Sequence, residues 1–197
     1  MLKELFNYYK NAMLDDHLCE EYKGIWQACG EDKEKLISLA MQQQVIGHVA
    51  TYAYLGKGIT RDFVLREFGD YINGYILHDC DNVEGYTYGM FVDYQCSDYH
   101  RLVTDVSHFM WTNDVRLIVS PTKCPIIYVS NGSKVSLVCE GYNFVKVYLY
   151  DESEIILEDV DVDCAVSVYK YSDNAKVERG AFAFTKELKV FDKEIKF

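Results

Sequence analysis

The sequence predicts an α+β protein in which an N-terminal helical domain precedes a short β-solenoid with about 21 residues per rung. Two observations support this fold class. Similar sequence recurs at a fixed interval in the C-terminal third, and near Gly69 the apolar residues change from helical spacing to alternation. We therefore assign residues 1–69 to the helical domain and residues 70–197 to the β-rich domain.

The repeat consists of three copies of 21 residues at 124–144, 145–165 and 166–186. Each copy carries a polar turn at the same phase, and tyrosines recur, with Tyr148 over Tyr169 and Tyr150 over Tyr171. A fixed period in this range is typical of stacked supersecondary units. The matching apolar columns are Cys124 over Val145 and Val166, Ile126 over Val147 and Val168, Val135 over Ile156 and Val177, and Cys139 over Val160 and Ala181.

Alternation within each copy indicates strands rather than helices. Val145, Val147 and Leu149 lie two residues apart, and Val, Ile and Tyr are the residues that strands prefer. Three short strands of about five residues, with corners of Gly, Asn, Asp and Ser, would fill one copy. Val147 should then point inward, stacked between Ile126 and Val168. A small antiparallel sandwich of hairpins would show the same alternation, but it gives no reason for the in-register columns.

Apolar residues at spacings of three and four predict several helices before Gly69. We expect helices at residues 1–14, from Asp15-Asp16 to about Gly30, and at 31–44. Residues 45–55 are mostly apolar and rich in alanine, which suits a buried fourth helix. Thr60 is a suitable N-cap for a last helix that ends at Gly69.

The segment between the helices and the repeat is expected to form strands. Asn73-Gly74 is a hairpin signal, and residues 85–94 alternate. Residues 103–119 are expected to form a degenerate first rung. Residues 186–197 alternate apolar with charged positions and should cover part of the far end of the stack.

Composition limits the functional classes. The formal net charge of −11 argues against general nucleic-acid binding, which depends on Lys and Arg at phosphates. No apolar run is long enough to span a membrane, so we expect no membrane insertion. The seven cysteines show no paired spacing, which favours free thiols and a cytoplasmic site of synthesis. Cys124 and Cys139 occupy apolar columns and are expected to be small core residues.

One tetrad, His78-Asp79-Cys80-Asp81, concentrates groups that could bind a metal or react. Together with His100 and His108 it could gather a metal ion, and Cys80 or Cys96 could act as a nucleophile with His78 or His100 as base. These histidines and cysteines do not have the spacing of a known metal-ligand motif, so we expect a polar loop with no metal and no cofactor.

The acidic run at residues 151–163 offers a second chemical hypothesis, because paired carboxylates hydrolyse glycosidic bonds. A polysaccharide groove needs more rungs than three, so solvated outward positions are the preferred interpretation. We expect no catalytic residues and no enzymatic activity.

The remaining feature is an abundance of tyrosine, 17 of 197 residues. Exposed tyrosines bury contact area at low entropic cost, and a short stack leaves backbone groups unpaired at its end. A contact surface is therefore expected on the tyrosine-rich segment or on the C-terminal tail. Its candidate residues are Tyr71, Tyr75, Tyr86, Tyr88, Tyr94, Tyr99, Leu188, Val190, Ile195 and Phe197.

Four segments carry a resemblance to known sequences: 66–75 (REFGDYINGY), 124–131 (CPIIYVSN), 138–143 (VCEGYN) and 168–173 (VYKYSD). In these segments the chain resembles uncharacterised proteins of gut Bacteroidales and their phages or prophages. The resemblance implies a phage or mobile-element setting, and it carries over no site residue.

These considerations predict a non-enzymatic structural or interaction protein, with a virion accessory component as one form of it. The expected partner is a protein, either a copy of the chain or a larger assembly. The alternatives are an acidic inhibitor that binds a basic surface of a host defence or nucleic-acid enzyme, and a glycan-active enzyme. The expected location is the cytoplasm at synthesis, with the virion as a later destination.

Overall fold

The computed structural model describes residues 20–56, 58–72, 88–95, 98–102, 104–185 and 187–193. It shows a β-solenoid of about five turns, preceded by α-helices. The helices are α1 (Glu20–Cys29), α2 (Lys33–Ala40), α3 (Ile46–Tyr54) and α4 (Arg61–Phe68). The strands are β1 (Met90–Val92), β2 (Tyr99–Arg101), β3 (Val106–Met110), β4 (Val115–Val119), β5 (Ile126–Ser130), β6 (Lys134–Cys139), β7 (Asn143–Leu149), β8 (Glu154–Val160), β9 (Cys164–Lys170), β10 (Lys176–Ala183) and β11 (Glu187–Asp192).

Each turn of the solenoid contributes one strand to each of two parallel sheets. The odd sheet has the order β1-β3-β5-β7-β9-β11, and the even sheet has the order β10-β8-β6-β4-β2. The expectation of three short strands per copy was wrong. Strands β7, β8 and β9 have seven residues each, so two strands and two corners use up the repeat.

The predicted 21-residue period is the average spacing between paired residues of neighbouring strands within the repeat, but individual spacings differ from it. Val147 pairs with Ile127 on β5 and with Val168 on β9, at spacings of 20 and 21 residues. Val168 pairs in turn with Val190 on β11, a spacing of 22. The prediction that Val147 is inward is confirmed, but its neighbour is Ile127 rather than Ile126, because a corner one residue shorter shifts the register.

Other predicted columns need similar corrections. Val135 pairs with Ile155 rather than Ile156, and Ala183 rather than Ala181 lies beside Val160. Of the two extra residues in the second case, one belongs to the longer step of 22 residues from β8 to β10 and one to the bulge between Arg179 and Phe182. The pairing of Cys139 with Val160, and that of Tyr148 with Tyr169, are as predicted. The expectation that Cys124 lies in the core was wrong: it is exposed and lies in the corner before β5.

The solenoid begins earlier than the repeat indicated. The expected degenerate rung at residues 103–119 contains two regular strands, β3 and β4, and a further turn with β1 and β2 precedes it. Strands β1 and β2 have three residues each, with spacings of 18 (Met90 to His108) and 17 (Tyr99 to Arg116), so no 21-residue alignment could detect them. The predicted hairpin turn Asn73-Gly74 and the helix at 1–14 lie outside the described residues.

The interior between the two sheets is a continuous apolar core. Inward side chains such as Leu117, Leu137 and Leu157 stack from rung to rung with no measurable exposure. Rungs lie about 4.8 Å apart, so each inward side chain covers the next. This stacking is the main source of stability in a repeat protein whose rungs contact only their neighbours.

The helices pack against the outer face of the odd sheet. Ile46 and Ala50 of α3 belong to one buried cluster with Met110 and Tyr128 of the sheet. Asn131, at a corner of the solenoid, donates a hydrogen bond from Nδ2 to the carbonyl oxygen of Ala53 at 2.9 Å. The predicted cap is confirmed: Thr60 Oγ1 accepts from the amide of Phe63 at 3.3 Å. The helical segment therefore shields the odd sheet near its N-terminal edge.

Candidate interaction surface

The C-terminal end of the solenoid exposes more apolar surface than its other described parts. Exposed fractions are 64% for Phe182, 61% for Phe184, 46% for Val190 and 38% for Phe191. These residues lie on or next to β10 and β11, the last strands of the two sheets. Val190 continues an inward column, and its neighbour Val168 is fully buried. Val190 is exposed because no strand among the described residues lies beyond β11 to cover it.

Strand β11 is a regular edge strand, and among the described residues no strand pairs with its other side. It pairs with β9 over six residues without a register shift. The amide of Lys193, just beyond the strand, donates to the carbonyl oxygen of Lys170 at 2.7 Å. Backbone groups of a strand face its two neighbours alternately. The N–H and C=O groups of Leu188, Val190 and Asp192 therefore point away from β9.

Strand β10, the corresponding edge of the even sheet, is irregular. Its bulge places Gly180 so close to β8 that a Cβ there would lie 2.7 Å from the carbonyl oxygen of Glu158, so only glycine fits. Arg179 donates from Nε to the carbonyl oxygen of Ala183 at 2.8 Å and from Nη2 to that of Thr185 at 3.0 Å. Bulges and local capping of this kind discourage strand addition. The regular open edge at this end is β11.

The opposite end of the odd sheet is covered. Its edge strand β1 has three residues, and Met90, Phe91 and Val92 have exposed fractions of 6%, 1% and 0%. Met90 and Val92 belong to the same buried cluster as the helices, and α4 contacts β1. The two edges of the odd sheet are therefore different: β1 is short and shielded, whereas β11 is longer and has no described strand on its other side.

An aromatic ladder runs along the outer face of the odd sheet towards the open end. The rings of Tyr128, Tyr148, Tyr169 and Phe191 stack in sequence, with centroid distances of 4.6, 4.9 and 5.1 Å. Burial raises the pKa of Tyr128 and of Tyr148 above the usual tyrosine range, so these phenols stay protonated at neutral pH. The ammonium group of Lys193 lies 5.6 Å from the ring centroid of Tyr169 and 5.8 Å from that of Phe191. The ladder thus holds β11 in register up to its last residues.

The predicted surface residues do not gather at one place. Tyr71 and Tyr88 are half-buried against the helical cluster, and Tyr88 donates to Glu34 at 2.7 Å. Tyr94 is half-buried, and its hydroxyl oxygen lies 3.2 Å from Nδ1 of His100. Leu188 is half-buried, and Val190 is exposed. Tyr75, Tyr86, Ile195 and Phe197 lie outside the described residues.

Tyr99 lines a different feature, a shallow groove of about 350 Å³ on the outer face of the even sheet. Its hydroxyl donates to Glu158, and the guanidinium carbon of Arg116 lies 5.4 Å from the ring centroid. The groove ends at Phe182, a residue that the sequence interpretation missed. Phe182 and Phe184 flank the buried Ala183 and are exposed, and Phe191 lies on the outer face at the end of the aromatic ladder.

The acidic run does not form one solvated face. Asp151 is 8% exposed and accepts hydrogen bonds from the amides of Gly132 (3.1 Å) and Ser153 (2.9 Å), from Ser153 Oγ (2.7 Å) and from the amide of Asn131. Burial raises the pKa of this carboxyl group, and the donors oppose that rise. Asp151 is thus a corner residue that satisfies backbone groups of two rungs. Asp159, Asp161 and Asp163 are exposed, as predicted.

Neither the metal site nor the cysteine–histidine pair considered from the sequence is assembled among the described residues. His100 and His108 are 2% and 0% exposed, and among the described residues no three His, Cys, Asp or Glu side chains lie close enough to hold a metal ion. His78, Cys80 and Cys96 lie outside these ranges. Cys139 is buried, and a hydrogen bond with Cys164 together with burial raises its pKa far above the usual thiol range. Its thiol is therefore protonated at neutral pH, which is unsuitable for a nucleophile.

No protein-family model, curated protein or solved structure matches this chain. In the described part of the chain, no helix has the length and apolar character needed to cross a membrane.

Proposed function

We propose that this chain is a non-enzymatic interaction protein that joins an assembly by β-strand addition at the free edge of β11. The observation that carries the proposal is the contrast between the edges. Strand β11 is regular over six residues and open, whereas β10 is bulged and β1 is buried. Strand addition supplies affinity through main-chain hydrogen bonds and specificity through alternate side chains.

The setting that we propose is a phage or mobile element, with the protein as a structural component such as a virion accessory protein. Its support is the sequence resemblance described above, together with a short solenoid that ends in an open edge. Such an end is suited to attachment, since unpaired N–H and C=O groups form a template for a further strand.

The test is a proline at the centre of the free edge. The N–H of Val190 points away from β9, so Val190→Pro removes a donor that the fold does not use and blocks the one that strand addition requires. The control is Val190→Thr, which keeps the N–H group and the β-branched shape. Each variant is expressed in the native host, and the assembly is recovered and compared in size and composition.

We expect wild type and Val190→Thr to be recovered in the same assembly and Val190→Pro to be recovered alone, with an unchanged far-ultraviolet spectrum. Equal incorporation of the proline variant would refute attachment through β11. Catalytic turnover of a glycan by the purified protein would instead support the enzymatic alternative.

A further inference from the structure

We propose that the strand added to β11 is β11 of a second copy of this chain, antiparallel and centred on Val190, which gives a closed tail-to-tail dimer. This inference rests on the proposed function and specifies its partner. It follows from three features of the structure: the alternation of backbone groups along β11, the order of charges on that strand, and the covered N-terminal edge.

Backbone geometry leaves few registers for self-pairing. The groups that face outward belong to Leu188, Val190 and Asp192. In an antiparallel pair, directly opposite residues either exchange both hydrogen bonds or none, so outward-facing residues must oppose one another. The registers that pair at least two of these three residues in each copy have their centres of symmetry at positions 189, 190 and 191.

Charges select one of these registers. A centre at 189 places Lys189 opposite its own copy, and a centre at 191 places Lys189 opposite Lys193. Directly opposed like charges destabilise a strand pair. A centre at Val190 instead places Lys189 opposite Phe191 and position 187, a glutamate, opposite Lys193. Both of these are non-hydrogen-bonded pairs, in which opposite residues approach most closely.

The same register extends the apolar interior. Val190 is 46% exposed and would lie beside Val190 of the second copy, next to the buried column that contains Val168 and Val147. Leu188 would face Asp192, whose side chain is 83% exposed and can turn towards water at the rim. Lys189 of one copy would lie over the Phe191 ring of the other. Within one chain Lys193 already makes such a contact, with its Nζ 5.8 Å from the ring centroid of Phe191.

The covered N-terminal edge explains why such a contact would close rather than propagate. A head-to-tail contact that continues the odd sheet would need an open edge at β1, and β1 is buried by the helical cluster. A tail-to-tail contact uses the same surface on both copies, so two copies satisfy each other. The structure therefore favours a dimer over a fibre.

Charge reversal provides the experiment. The variants are Glu187→Lys, Lys193→Glu and the double variant, and sedimentation velocity measures the dimer dissociation constant of each purified protein. In a dimer of either single variant, residues 187 and 193 carry like charges in both symmetry-related pairs. We therefore expect the dimer dissociation constant to rise about tenfold. The double variant restores opposite charges and should recover wild-type dimerisation. An equimolar mixture of the two single variants should form a heterodimer, since every pair in it is again opposite.

The outcomes separate this inference from the proposed function. A monomeric wild-type protein would overturn the dimer, and incorporation into a host assembly that Val190→Pro abolishes would still support strand addition to another partner. A dimer that responds neither to charge reversal nor to Val190→Pro would refute both. A dimer that Val190→Pro abolishes, but that charge reversal leaves unchanged, would contradict the register centred on Val190.

Discussion

Val147 on β7 pairs with Val168 on β9, and neither side chain has any measurable exposure. Val147→Asp would place a carboxylate in this interior with no partner, and we expect it to lower the free energy of unfolding by about 3–5 kcal/mol. Urea denaturation followed by circular dichroism measures the change. The control is Lys146→Asp, because Lys146 is exposed on the neighbouring position and its replacement should cost less than about 0.5 kcal/mol. Near-wild-type stability of Val147→Asp would contradict the assigned column.

The corner at Asp151 is the second site of predicted sensitivity. Asp151→Ala leaves the amides of Gly132 and Ser153 without their acceptor and should destabilise the protein by about 2–4 kcal/mol. Asp151→Asn keeps one acceptor oxygen and tolerates the positive φ of 47° at this position, so it should cost roughly half as much. If thermal denaturation gives the alanine and asparagine variants the same stability as wild type, the corner does not depend on these bonds.

Stability should depend on pH through His108. This side chain is fully buried, and burial lowers its pKa from 6.5 to about 3. In the unfolded chain the His108 side chain takes up a proton near pH 6.5, whereas in the folded chain it does so only near pH 3. The contribution of His108 to the free energy of unfolding is therefore fully present above pH 6.5 and is lost as the pH falls towards 3.

The matched variant is His108→Gln, which cannot titrate. Between pH 6.5 and pH 5 the wild type should lose about 1.5 kcal/mol more unfolding free energy than the variant, because the unfolded histidine goes from half to almost full protonation and one full proton corresponds to about 1.4 kcal/mol per pH unit. Carboxylates titrate equally in both proteins and cancel in the difference. Parallel pH profiles for the two proteins would show that His108 is accessible to protons in the folded state.

The sequence was sufficient to predict the solenoid because side-chain identity recurs where the rungs stack. Tyr148 and Tyr169 have the same phase in the repeat, and their rings do stack at 4.9 Å. The steps of 20 and 22 residues were not predictable, since they depend on corner length. The bulge at Gly180 was missed for a similar reason: the close approach of the Glu158 carbonyl is visible only in three dimensions.

The sequence and the structure point to the same candidate edge, the last strand of the stack, but the sequence did not indicate which residues are exposed there. An open end follows from the small number of rungs, and Leu188 and Val190 were therefore expected there. Which sheet keeps a regular edge could not be predicted, because it depends on hydrogen bonds from Arg179 to carbonyl groups far from any sequence motif. The tyrosines Tyr71 and Tyr88 were misleading, since a residue that suits a contact surface also suits packing against helices.

The most direct test of attachment through β11 is residue-resolved amide hydrogen exchange on the protein in its assembled and dissociated states. We expect the amides of Leu188, Val190 and Asp192 to be protected on assembly and to exchange rapidly after dissociation, while those of Lys189 and Phe191, which face β9, should be protected in both states. Rapid exchange at Leu188, Val190 and Asp192 in the assembled protein would contradict attachment through β11.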